Sequence, residues 1–99
     1  MFYGHWEVTV DYKWRLYVPR AVSKEFGEFV LIVKNKDGFV EIEKPARKLK
    51  GKELPNLYGV RDDKRILIPK HLRGSDSFSS NRKVVLLGKG NVLEIRPRE

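Results

Sequence analysis

Arg15 and Arg65 stand at equivalent places, fifty residues apart. Each opens a run of three apolar or aromatic residues that is closed by a proline and a second cation: Arg15-Leu16-Tyr17-Val18-Pro19-Arg20 and Arg65-Ile66-Leu67-Ile68-Pro69-Lys70. A guanidinium is planar and permanently charged, and its forked donors match a phosphate or the O6/N7 edge of guanine. It pairs equally well with a carboxylate, and Asp11 precedes Arg15 by four residues across a turn. The two roles are compatible, because an ordering carboxylate fixes the direction of the arginine. Lys13, Arg20 and Lys24 lie near the first arginine, and Arg61, Lys64, Lys70, His71 and Arg73 near the second. Gathered on one surface, they would neutralise several phosphates, with affinity falling steeply as salt rises. Singly, each is an ordinary solvated charge. Trp14, at a loop tip, could wedge at a base step or pack on a neighbouring strand.

The charge is unevenly spread. The net charge is +8 over 99 residues. Residues 1–45 hold seven Lys/Arg and seven Asp/Glu, whereas residues 46–99 hold fourteen and six, so the surplus of 14 − 6 = 8 lies entirely in the second part. Such a balance favours polyanions, and the lopsidedness favours a binding face over a general solubility charge. Lys44, Arg47, Lys48, Lys50 and Lys52 form a further basic run, able to follow a backbone or to act as a soluble connection. The second part and its linker are expected to dominate non-specific binding.

The elements that position the arginines repeat as well. Val30-Leu31-Ile32-Val33 recurs as Val84-Val85-Leu86-Leu87, and Phe39-Val40-Glu41-Ile42 recurs as Val92-Leu93-Glu94-Ile95. Three matches in one order make the chain a tandem repeat. Trp6, Val8 and Val10 alternate with polar residues, the pattern of a half-buried strand. Asp11–Trp14 turn the chain and residues 16–18 return it. Pro19 can open a helix over Arg20–Phe26 that Gly27 stops. Strands at 29–34 and 39–44 flank Asn35-Lys36-Asp37-Gly38, where Asp-Gly tolerates a tight turn. The second copy runs 57–61, 66–68, a helix over 69–73, then 83–87 and 92–96. Ser75–Asn81 read as a mobile loop, and Trp6, Phe26, Phe29 and Phe39 as core. The expected organisation is a first repeat at 1–45, a basic linker at 46–55 and a second repeat at 56–99. Neither copy could bury its apolar strands alone, so the two are expected to intertwine as one domain, a pseudo-two-fold barrel of two β-β-α-β-β units with short helices.

Asp11-Tyr12-Lys13-Trp14-Arg15-Leu16-Tyr17-Val18-Pro19 resembles the D-x-K-G-R-hydrophobic-x-hydrophobic-P signature of the SpoVT-AbrB swapped-hairpin family. Met1-Phe2-Tyr3-Gly4, the doubled motif and Leu87-Gly88-Lys89-Gly90-Asn91-Val92-Leu93-Glu94-Ile95 are similar to its tandem-repeat MraZ-like branch. The resemblance implies a swapped-hairpin barrel and a DNA-binding regulator of transcription that contacts duplex DNA through Lys13, Arg15, Arg20, Lys24, Arg61, Lys64, Arg65, Lys70 and Arg73. It also implies a tendency to homo-oligomers, since members of the branch form rings. Trp14 stands where the family has glycine, so the first turn is not expected to use a permissive φ. Arg61 occupies the aspartate position of the second copy, with Asp62 and Asp63 following, and the linker is shorter than is usual in the branch.

Other functions find little support in the residues. With no cysteine, His5 and His71 have no companions for a metal shell. Asp62 and Asp63 are adjacent, so on a strand their carboxylates would diverge, and Gly88-Lys89-Gly90 is too short for a phosphate loop. An enzyme, a metal, a cofactor and a small-molecule substrate are not expected. No apolar run approaches the roughly 18 residues of a membrane span, and Met1 leads into aromatic and charged residues, so a cytoplasmic, nucleoid-associated location is expected. Two rivals remain: a sequence-indifferent chromatin or RNA-binding protein, and an antitoxin-type protein-binding module, for which Arg96–Glu99 offer no wrapping tail.

Overall fold

Short stretches of alternating apolar and polar residues, broken by Gly, Pro and Asp turns, favour strands over helices along most of this chain. In the computed structural model, which describes residues 1–45, 57–60 and 65–98, they form β1 (His5–Thr9), β2 (Arg15–Tyr17), β3 (Phe29–Lys34), β4 (Val40–Glu43), β5 (Leu57–Gly59), β6 (Arg65–Leu67), β7 (Lys83–Gly88) and β8 (Val92–Pro97). Six of them make one sheet in the order β1-β7-β8-β4-β3-β5, and β2 pairs with β6 as a separate ribbon. Every pairing is antiparallel. The chain is mainly β, as expected.

Exchanging the first four strands for the last four leaves this order unchanged when it is read from the other end. The register obeys the same exchange. Glu41 faces Glu94 between β4 and β8, and Leu16 faces Ile66 between β2 and β6. The buried residues match in the same way: Leu16 with Ile66, Val22 with Leu72, Val30 with Val84, Ile42 with Ile95. The outer strands lie across the exchange, since β1 pairs with β7 and β5 with β3. Among the described residues, the ladder of each outer strand is therefore made with a strand of the other four-strand set.

Several expectations need correction. The barrel is not closed: among the described residues the large sheet ends at β1 and β5, and β2–β6 stands apart from it. β2 meets β1 through an isolated bridge, Val10 to Leu16, rather than a ladder. Pro19 and Pro69 follow β2 and β6 closely and have no N–H with which to lengthen the ribbon. The helices shrink to single turns, α1 at Arg20–Ser23 and a 3-10 turn at Lys70–Leu72. Neither has a side-chain cap, and each buries one anchor, Val22 or Leu72. Phe26 is buried 5.3 Å from the Phe2 ring, but Trp6, Phe29 and Phe39 are only half-buried. The basic linker at 46–55 lies outside the described residues.

Ser75–Asn81 is anchored rather than loose. Ser77 is fully buried, and its hydroxyl accepts from the Val40 N–H (2.7 Å) and donates to the Ile95 carbonyl (2.6 Å), bridging β4 and β8. Ser77→Ala is expected to cost about 1–3 kcal/mol, the penalty for a buried backbone group left without its partner, readable as a lower urea midpoint with an unchanged slope. Gly88 shows a second close approach. A Cβ there would lie 2.7 Å from the Phe2 backbone, so only glycine lets the N-terminal segment lie beside β7. The Asp-Gly turn is found as expected, with Gly38 at φ +91°.

Candidate nucleic-acid interface

The loop between β1 and β2 is organised by one carboxylate. Asp11 Oδ1 accepts from the backbone N–H groups of Lys13 and Arg15, both at 2.9 Å, as in an Asx turn. Its Oδ2 accepts from Arg15 Nε at 2.8 Å and lies 3.8 Å from Arg65 Nη1. The two motif arginines are thereby brought to one point, although fifty residues separate them. Burial acts to raise the Asp11 carboxyl. Hydrogen bonds from the Arg15 N–H, the Arg15 side chain and the Lys13 N–H, with the charge of Arg15, overcome it and hold the group below its ordinary value of 3.8. Arg15 uses Nε for this contact, and among the described residues no hydrogen bond from its two terminal amino groups is observed.

Trp14 departs from the expectation for its position. It adopts φ +62°, the left-handed conformation that glycine would take without strain. A left-handed residue with a Cβ costs about 1–2 kcal/mol, and the surroundings of the indole offset that. The Arg82 guanidinium lies 4.1 Å from the ring centroid, Arg73 lies 5.5 Å away, and the Phe78 ring meets it edge-on at 5.5 Å. Arg82 also donates to the Asp11 carbonyl (3.1 Å), Arg73 Nε to the Ile68 carbonyl (3.0 Å), and the Ile68 N–H to the Trp14 carbonyl (2.8 Å). The loop preceding β2 is thus fastened to the chain that follows β6. Arg82 was not foreseen, because nothing in its local sequence marks it.

The other expected cations are dispersed. Lys13 is exposed and lies 5.6 Å from the Tyr12 ring. Arg20 and Lys24 are exposed on and just after α1, and Lys70 is exposed at the start of the 3-10 turn. Arg73 is half-buried against Trp14 rather than fully solvated. Arg61 and Lys64 lie outside the described residues. Lys13, Arg15, Arg65 and Arg73 are gathered around Asp11 and Trp14, whereas no contact of Arg20, Lys24 or Lys70 with that group is observed.

A second polar cluster sits where β4 meets β8, and the sequence reading missed it. Glu94 is 0% exposed, yet it is charged. Its Oε2 accepts from Lys89 Nζ and Asn35 Nδ2, each at 2.9 Å, its Oε1 takes Arg96 Nε, and Asn35 Nδ2 also reaches Glu41 Oε2 at 2.9 Å. Arg96 in turn lies over the Phe39 ring at 4.3 Å. The repetition of Glu41 as Glu94, an acid inside an otherwise apolar strand motif in both copies, was the available signal, since a charge carried on a buried strand needs partners. Burial would raise the Glu94 carboxyl, but hydrogen bonds from Lys89 and Arg96, with their charges, hold it below its ordinary value of 4.5. A carboxyl depressed in the folded state adds stability that is complete above its unfolded value and is lost as pH falls through the folded one. The melting temperature is therefore expected to be level above about pH 5.5 and to fall below about pH 4.5, with a shallower fall in Glu94→Gln.

Among the described residues there is no group of three or more His, Asp or Glu side chains able to hold a metal ion, and no helix long and apolar enough to cross a membrane.

Fold and site together define a class: a basic, mainly β chain whose strand order survives exchange of its halves, with one arginine from each half meeting at a shared acid. No family model matches the chain. The transcriptional regulator MraZ of Heliobacterium modesticaldum (strain ATCC 51547 / Ice1) is 30% identical to it over 121 residues, covering 100% of this chain and 82% of that protein. The chain belongs to the MraZ family.

Proposed function

We propose that this chain is a DNA-binding transcriptional regulator, as its relative is named, and that the outer face of the β2–β6 ribbon is its DNA-contacting surface. The single observation that carries this reading is the meeting of Arg15 and Arg65 at Asp11 on one partly exposed ribbon. An orienting carboxylate on Nε leaves forked donors to face a base edge or phosphate. Lys13 and the net charge of +8 would supply phosphate contacts and most of the affinity. The architecture proposed with it is of the swapped-hairpin, AbrB-like type: repeats at 1–45 and 56–99, joined by the basic linker 46–55 and intertwined as one domain. Support comes from the exchange symmetry of strand order, register and core. Work on chromosomal DNA would place the protein in the cytoplasm at the nucleoid. Homo-oligomers belong to the same proposal, and light scattering would measure them.

The test is selection of bound duplexes from a random pool, followed by fluorescence anisotropy across salt concentrations. Affinity for the selected duplex is expected to exceed that for scrambled duplex by about 10³-fold or more at a fixed salt concentration. Equal affinity for both would instead assign the basic surface to sequence-indifferent binding.

A further inference from the structure

The outer face of the ribbon carries more than its arginines. The register sets Arg15 opposite Leu67 and Tyr17 opposite Arg65, while Leu16 and Ile66 between them are fully buried. Residues two apart on a strand share a face, so Arg15, Tyr17, Arg65 and Leu67 form one square. The arginines occupy one diagonal. Tyr17 and Leu67 occupy the other, 53% and 47% exposed. Single exposed apolar residues are ordinary on protein surfaces. These two occupy equivalent places in the motif copies, each two residues after its arginine and directly across from the other one.

We infer that Tyr17 and Leu67 contact bases in the major groove of duplex DNA, and that their inequality makes the preferred element asymmetric; this rests on the regulator reading above. A two-stranded ribbon fits a groove about 12 Å wide. From the first to the third residue of each strand the chain advances about 7 Å, close to two base-pair steps. The groove floor offers guanidinium acceptors on guanine and one apolar feature, the C5-methyl of thymine. A face that alternates guanidinium and apolar side chains in a chain of net charge +8 complements that floor better than it complements a protein surface. The exchange of β2 with β6 carries Arg15 onto Arg65, but it carries Tyr17 onto Leu67. The arginines are therefore matched in type on both sides of the axis, although Asp11 holds Arg15 through Nε at 2.8 Å and meets Arg65 through Nη1 at 3.8 Å, whereas the apolar pair differs in type. Tyrosine presents a flat ring with a hydroxyl donor, whereas leucine presents a compact branched group.

The experiment is selection from a random duplex pool with the full chain and with Tyr17→Leu and Leu67→Tyr. Tyr17→Leu is expected to give an element that is palindromic at the positions under residues 17 and 67. Leu67→Tyr is expected to give a different palindrome, and the unaltered chain a hybrid with one half of each. By anisotropy, each variant should bind the hybrid element about tenfold more weakly than the unaltered chain does, and random duplex within about twofold. Thermal melting checks that the variants fold, which exposed positions permit. Unchanged elements in both variants would overturn this inference and leave the regulator reading standing. No enriched element with the unaltered chain would overturn both.

Discussion

Arg15→Ala is expected to lower affinity for the preferred duplex by about 5- to 150-fold, the worth of one bidentate arginine–guanine contact. Its effect on random duplex should be no more than severalfold, because one phosphate contact among several is lost there. The geometry sharpens this expectation. Arg15 is bound through Nε to a carboxylate that also receives two backbone N–H groups, so its direction is fixed before DNA arrives and little ordering entropy opposes the contact. Arg65 shares the same oxygen at 3.8 Å, so Arg65→Ala should reduce discrimination similarly. Anisotropy on preferred and scrambled duplexes at one salt concentration makes the measurement. Equal losses on both duplexes for Arg15→Ala would reassign the residue to backbone neutralisation. The charge surplus beyond residue 45 adds a second comparison. Replacing Lys64 and Arg65 together should weaken binding to random duplex more than replacing Lys13 and Arg15.

Leu16→Ala is expected to remove about 2–5 kcal/mol of stability, a large part of what a domain of this size has. Leu16 is fully buried directly across from Ile66, also fully buried, on the exchange axis of the β2–β6 ribbon. A cavity there has walls from both halves, and three-residue strands held by a short ladder have little freedom to collapse into it. For about 100 residues each kcal/mol shifts the melting temperature by roughly 4–8 °C, so a fall of about 8 °C or more should be seen by calorimetry. Ile66→Ala should match it. A loss under about 1 kcal/mol in either would mean that the ribbon is not part of the common core.

Much of this architecture was legible in the sequence because repetition and period-2 alternation are local signals. The matched runs at 15–20 and 65–70 and at 39–42 and 92–95 named strands that pair with each other, and those at 30–33 and 84–87 named the strands flanking the second pair. What the sequence could not supply was distance. Gly27 marked a stop, but not that the helix before it would last one turn. Four serines in 75–81 looked loose, because nothing local shows that the Ser77 hydroxyl enters the β4–β8 ladder. At the candidate site, Arg15, Asp11 and Arg65 were readable from the doubled motif. Arg82 was not, since its role depends on a tryptophan 68 positions earlier in the chain. Trp14 was misjudged for a different reason. A steric rule disfavours its left-handed backbone, and stacking that only the folded chain provides overcomes the rule.

The crossed pairing of β1 with β7 bears on how the protein is made. His5 is hydrogen-bonded to a strand in which its partner is Leu87, so the first strand leaves the ribosome long before its neighbour exists. Until then it presents unsatisfied amide and carbonyl groups and the half-apolar edge of Trp6 and Val8, features that invite association with other nascent chains. Closing such a long loop also places the molecule among slow-folding topologies. Emergence of β7, rather than of the first four strands alone, is the event that lets β1 pair.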